Sequence, residues 1–215
     1  MQFIPYELLK GSENMALDEK LLDEAIKSNS EPILRFYGWL EPTLTFGKNQ
    51  QKPEFLNLPS IRRITGGRAL LHDKELTYCF ICHKNFLENG DSVINSYKQI
   101  SNGLILGFKE LGIELEFPSY QKVSAKNGYC MNLATGSDLS YQGKKLIGSA
   151  QARKHSYIMQ HGSILFDYDK DLLERIFEEK VDKITSLKDI NPNLCNIELL
   201  CDALKRGFEK NFDIK

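Results

Sequence analysis

The run Leu76-Thr77-Tyr78-Cys79-Phe80-Ile81-Cys82 carries no charge in a chain that is 27% charged. It is rich in strand formers and reads as a β-strand packed in a core. Side chains alternate along a strand, so Cys79 and Cys82 face opposite sides and do not share a metal. A zinc site would also want a second cysteine pair. Both are read as buried core cysteines, and no metal site is expected. Around this strand, 215 residues suit one large domain or two small ones; residues 1–215 are taken as a single domain. The net charge of −1 creates no global field to recruit nucleic acid. Met1-Gln2-Phe3-Ile4-Pro5 is not a signal peptide, and no apolar stretch is long enough to span a membrane. A cytoplasmic protein is expected.

Other segments read as follows. Phe3–Leu9 is a strand interrupted at Pro5, and Ile33–Trp39 and Thr43–Phe46 are two strands joined at Pro42. Asn14–Lys27 has helical periodicity, with Leu17, Leu21, Leu22, Ala25 and Ile26 on one face. Ser92–Leu111 is a second helix, stopped at Gly112. Ile113–Phe117 alternates as a half-buried strand, residues 137–149 form a hairpin turning at Gln142-Gly143, and Ile158–Phe166 is a further strand. Asp169 and Asn196 are expected to cap two last helices. Helices against a largely antiparallel sheet make the fold class α+β.

Four stretches could carry chemistry. Arg62-Arg63-Ile64-Thr65-Gly66-Gly67-Arg68-Ala69-Leu70-Leu71-His72-Asp73 joins a glycine pair, which permits close backbone approach, to three guanidinium donors for an anion. It is not a P-loop. Gly143-Lys144-Lys145-Leu146-Ile147-Gly148-Ser149-Ala150-Gln151 places lysine beside small residues that leave room for a ligand. Lys144 and Lys145 face opposite sides, and the pattern alone leaves open which is solvated. Gln160-His161-Gly162-Ser163 is a polar cluster inside an apolar strand. Cys130 is expected in a loop, whereas the other four cysteines fall in strand-like or helix-like stretches. A loop thiol near lysines suits a nucleophile.

Together these stretches, with Asn14-Met15-Ala16-Leu17-Asp18-Glu19, Leu34-Arg35-Phe36-Tyr37-Gly38-Trp39 and His72-Asp73-Lys74-Glu75-Leu76-Thr77-Tyr78, resemble the family of lipoate–protein ligases and octanoyltransferases. The resemblance implies a mixed sheet with packed helices, the fold shared with biotin–protein ligases. It implies an octanoyltransferase that moves octanoyl from acyl carrier protein, through a thioester on Cys130, to a lysine of a lipoyl domain or a glycine cleavage H-type protein. Cys130 and Lys145 would be catalytic. Arg63, Thr65, Gly66, Gly67, Arg68, His72, Gly148, Ser149, Ala150 and His161 would bind substrate, with N–H groups of Ser149-Ala150 at the oxyanion and His161 orienting the site. Arg62, Arg63, Lys122, Lys126, Arg153 and Lys154 would steer the acidic carriers. No cofactor would be needed, and no C-terminal accessory domain is expected. The alternative within the family is an ATP- and Mg-dependent lipoate–protein ligase, in which Lys145 and the Arg63 loop would hold an acyl-adenylate.

Overall fold

The computed structural model describes residues 1–51, 58–118 and 138–214. Its first half runs β1 (Gln2–Leu9), α1 (Gly11–Ser28), β2 (Ile33–Trp39), β3 (Thr43–Phe46), β4 (Ser60–Arg62), β5 (Leu70–His72), β6 (Glu75–His83) and α2 (Val93–Glu110). The second half runs β7 (Leu139–Tyr141), β8 (Lys144–Lys154), β9 (Tyr157–Leu165), α3 (Lys170–Phe177), α4 (Leu187–Ile190) and α5 (Ile197–Asn211). Six strands form one sheet in the order β1-β2-β6-β9-β8-β7, antiparallel except for the β1–β2 pair. A smaller sheet has the order β4-β3-β5. The α+β class and the largely antiparallel sheet follow the sequence reading.

The uncharged run became β6, inside the large sheet, because both of its faces are apolar. Tyr78, Phe80 and Cys82 pack with Leu34 and Phe36 against Ile100, Leu104 and Phe108 of α2 and Phe208 of α5. Cys79 and Ile81 pack on the other face with Tyr37, Met159 and the Met15, Leu21, Leu22 and Ala25 side of α1. Cys79 and Cys82 therefore lie in separate cores, as strand alternation requires.

Local signals place several boundaries. Gln142 and Gly143 both take positive φ, 49° and 76°, the geometry of a tight hairpin turn between β7 and β8. The Ser92, Asp169 and Asn196 side chains accept N-terminal amides of α2, α3 and α5. Pro5 sits where the β1–β2 register shifts, on an edge strand that tolerates a missing donor.

Three expectations change. Ile113–Phe117 alternates in burial but, among the described residues, joins the sheet by a single bridge between Glu116 and Ser140 rather than as a full strand. The buried side of α1 is Gly11, Asn14, Met15, Asp18, Leu21, Leu22 and Ala25, leaving Leu17 and Ile26 half-buried; the helix is rotated so that two polar residues face inward. Cys195 lies outside any helix or strand and is exposed, after a short turn at Pro192–Leu194. No helix among the described residues is long and apolar enough to cross a membrane.

Helices α2 and α5 pack backbone to backbone. A Cβ on Gly207 would strike the carbonyl oxygen of Gly103 and the amide nitrogen of Gly107, which are parts of a helix that cannot step aside. Gly207→Ala should destabilise the fold by about 2–3 kcal/mol through overpacking, read as a fall in the urea midpoint; an unchanged midpoint would show that the helices separate freely.

Candidate active site

Strand register sets out the floor of a cavity in two rows across the large sheet. One row is Tyr37, Thr77, Ser163 and Gly148; the next is Arg35, Cys79, His161 and Ala150. Alternation puts both rows on the α1 side. Met15 of α1 and Thr45, Arg63, Gly67, Leu70 and His72 from the small sheet and its turn complete a partly open cavity. Gly162, between the two rows, pairs with Tyr78 and Ser149, and a Cβ there would collide with the Gly148 carbonyl at 2.6 Å and with the Tyr78 ring.

Buried polar side chains hold this geometry in two hydrogen-bonded chains. In the first, Asp18 accepts from Arg35 Nη1 at 2.6 Å, the Tyr37 hydroxyl at 2.8 Å and His161 Nδ1 at 3.2 Å. Arg35 Nη2 also donates to Asn14 Oδ1 at 2.7 Å. In the tautomer that donates from Nδ1, His161 accepts the Thr65 hydroxyl at Nε2, 2.8 Å away. Burial alone would raise the Asp18 pKa; the His161 hydrogen bond, Arg35 and Tyr37 outweigh it and hold the carboxyl below its ordinary value.

The second chain runs from Trp39 Nε1 to Thr77 Oγ1 at 2.9 Å, and from Thr77 to Glu75 Oε1. Glu75 meets His72 Nδ1 at 3.3 Å, and His72 Nε2 lies 2.9 Å from Thr45 Oγ1. Arg63 donates to Thr45 Oγ1 at 3.0 Å and to the carbonyls of Gly66 and Arg68 at 2.9 and 2.7 Å. The Trp39 indole stacks on His72 at 3.9 Å. The arginine of the glycine turn thus clamps the turn itself. Gly67 has φ 93°, and a Cβ on Gly47 would collide with the Gly67 carbonyl, so both glycines are needed for this close approach.

Lys145 is 1% exposed while Lys144 is exposed, which settles their facing. The β7–β8 register shifts so that Leu139 pairs with Ile147 but Ser140 with Lys145, leaving Leu146 as a bulge. Lys145 Nζ forms an ion pair with Asp138 Oδ2 at 3.0 Å. The other Asp138 oxygen accepts the Ser149 amide at 3.2 Å. The Ser149 N–H, expected with that of Ala150 at the oxyanion, is engaged by Asp138 in this structure.

Of the residues expected at the site, Arg63, Gly67, His72, Gly148, Ser149, Ala150 and His161 line the cavity. Thr65 stands behind His161, Gly66 and Arg68 offer carbonyls to Arg63, and Lys145 lies beside the cavity in β8 rather than in its lining. Cys130, Lys122 and Lys126 lie outside the described residues. Each of the four described thiols is held above its ordinary pKa, first by burial, Cys82 and Cys201 to about 12. All four described cations expected to steer carriers have internal partners: Arg63 as above, Arg62 holds the carbonyls of Gly47, Lys48 and Gln50, Arg153 that of Gly90, and Lys154 pairs with Asp23. The sequence assigned no role to Asn14, Asp18, Arg35, Thr45, Glu75, Thr77, Asp138 or Ser163, although all but Thr45 and Asp138 lie in the motifs that carry the resemblance. An arginine inside the apolar run Ile33–Trp39 was the available signal for the first chain.

Residues 10–209 match the family described as the lipoyl protein ligase A/B catalytic domain. The octanoyltransferase LipM of Carboxydothermus hydrogenoformans is 36% identical over 99% of this chain and 87% of its own length. A lipoate-protein ligase A bound with ATP superposes with a TM-score of 0.76 at 22% identity, covering 99% of this chain and 86% of that one. A bi-partite lipoate protein ligase from Thermoplasma acidophilum, described with its E2 lipoyl domain, superposes with a TM-score of 0.72 at 20% identity, covering 100% and 85%. These two likenesses show the shared fold.

Gly67→Val should destabilise the protein by about 1–3 kcal/mol, because a β-branched residue is strained at positive φ, and should weaken acyl binding at least tenfold in a folded sample. Unchanged acyl affinity would separate the turn from the ligand. Burial lowers the His72 pKa against the opposing pull of Glu75. Above about pH 6.5 folded and unfolded chains both keep this ring neutral; below it the unfolded chain takes up the proton more readily, so stability falls with pH. The urea midpoint should drop between pH 7 and pH 5, and His72→Gln should flatten that slope; equal slopes would remove His72 as the cause.

Proposed function

The chain belongs to the lipoyl protein ligase A/B catalytic domain family and is an octanoyltransferase of protein lipoylation; we propose that it takes octanoyl from acyl carrier protein through a Cys130 thioester. The acceptor is a lysine of a lipoyl domain or a glycine cleavage H-type protein, in the cytoplasm, and residues 1–215 act as one catalytic domain. No ATP or metal enters this scheme.

The observation that carries the reading is the pairing of a cavity lined by small residues with a buried, ion-paired lysine on the strand that walls it. The raised pKa values of the four described thiols support Cys130 as the nucleophile, since the thiolate is the reactive form. In the first step the Cys130 thiolate adds to the acyl carbonyl, the bond to the carrier sulfur breaks, and that sulfur leaves as a thiolate that takes a proton. The Lys145 ammonium stabilises the negative charge that develops. In the second step the acceptor amine adds to the new thioester, the bond to Cys130 breaks, and the amine proton passes to the departing sulfur. The cavity selects the acyl chain: each buried methylene contributes about 0.8 kcal/mol, so one carbon changes affinity by less than tenfold.

Incubation with octanoyl-acyl carrier protein, without ATP, should add one octanoyl mass that hydroxylamine removes. Cys130→Ser should abolish it, and Lys145→Ala should abolish transfer to a lipoyl domain while Lys144→Ala keeps most of it. Full activity in Cys130→Ser with turnover only on lipoate, ATP and magnesium would replace this reading with the ligase reaction.

A further inference from the structure

We propose that Asp138 is a positioning residue of the transfer reaction, one that holds the Lys145 ammonium and the cavity wall at Ser149 as one unit. The inference rests on the acyl-transfer reading and concerns a residue that this reading does not use.

Asp138 is 1% exposed, as is Lys145. An ammonium taken out of water needs a counter-charge close by, and the Asp138 Oδ2 at 3.0 Å supplies it. The second oxygen is engaged too, by the Ser149 amide at 3.2 Å. A pair serving stability alone needs only the first contact. Here one carboxylate spans the lysine and a residue that lines the cavity, across the bulge at Leu146. The Lys145 backbone is fixed as well: its amide donates to the Lys183 carbonyl at 2.9 Å, and its carbonyl accepts the Thr185 amide at 3.0 Å. With the main chain held and the ammonium tethered, the direction of the charge relative to Gly148 and Ser149 is set before any ligand enters. Stabilisation of a developing charge depends on such preorganisation.

The test compares wild type, Asp138→Asn, Asp138→Glu, Lys145→Gln and the Asp138→Asn/Lys145→Gln double variant in octanoyl transfer from acyl carrier protein to a lipoyl domain. Thermal unfolding and the pH–rate profile are read for each. Asp138→Asn should lose at least tenfold in kcat, keep KM for the donor within about twofold, and displace the pH–rate profile. The double variant should be no slower than Lys145→Gln, because Asp138 acts through the lysine. Asp138→Asn with wild-type kcat and pH profile overturns the proposal, and so does a double variant slower than Lys145→Gln. If Asp138→Asn does not fold, Asp138→Glu decides: it keeps the charge but moves it by one methylene, so a normal Tm with reduced kcat supports positioning, and wild-type kcat overturns it. Wild type that transfers no acyl group in the same assay overturns the function reading and this proposal with it, whereas an active wild type beside an unaffected Asp138→Asn overturns this proposal alone.

Discussion

A carboxylate in a protein core is tolerated only when every part of its charge is met, and Asp18 is met from three directions. Arg35 approaches along β2, Tyr37 from two residues further on the same strand, and His161 from β9. Because Asp18 belongs to α1, this one group ties the helix to two strands of the large sheet. It also fixes the ring of His161, which in turn receives the Thr65 hydroxyl from the glycine turn. The position of the turn over the cavity thus depends on an ion pair at the opposite side of the floor. This is why α1 turns two polar residues inward, against what its apolar pattern suggests.

The second chain does for the small sheet what Asp18 does for the helix. Glu75 gathers Thr77 and His72, and His72 passes the constraint through Thr45 to Arg63. Trp39 both donates into the chain and stacks on the imidazole. Neither chain leaves the cavity walls free to adjust independently. A wall fixed in this way suits recognition of a flexible acyl chain, since the ordering falls on the ligand rather than on the protein. Lys145 is locked separately, through Asp138 and the bulge, at the wall formed by Gly148 and Ser149.

Membership of the lipoyl protein ligase A/B family accounts for the division between scaffold and chemistry. Solved ligases share the fold at about one fifth identity, although one was described with ATP bound. The scaffold therefore does not choose between activated forms of the acyl group. That choice lies with individual side chains.

The sequence alone determined the elements whose signals are local. The uncharged run could only be a covered strand, alternation alone separated Cys79 from Cys82, and Gln142-Gly143 could only be a turn, because these outcomes depend on a residue and its immediate neighbours. The glycine turn, the buried lysine's motif and the histidine cluster were legible for the same reason, as residue types that an ordinary strand or loop does not need. Tertiary structure decided what involves partners far apart in the chain. Asp18 reads as one more exposed helix residue until Arg35 and His161 are beside it, and Gly207 as a weak helix position until α2 lies across it. Asp138 lies in the expected hairpin with no partner named until the fold sets Lys145 against it. Burial of a charge is decided by what surrounds it, and the surroundings exist only once the sheet has closed over the helix.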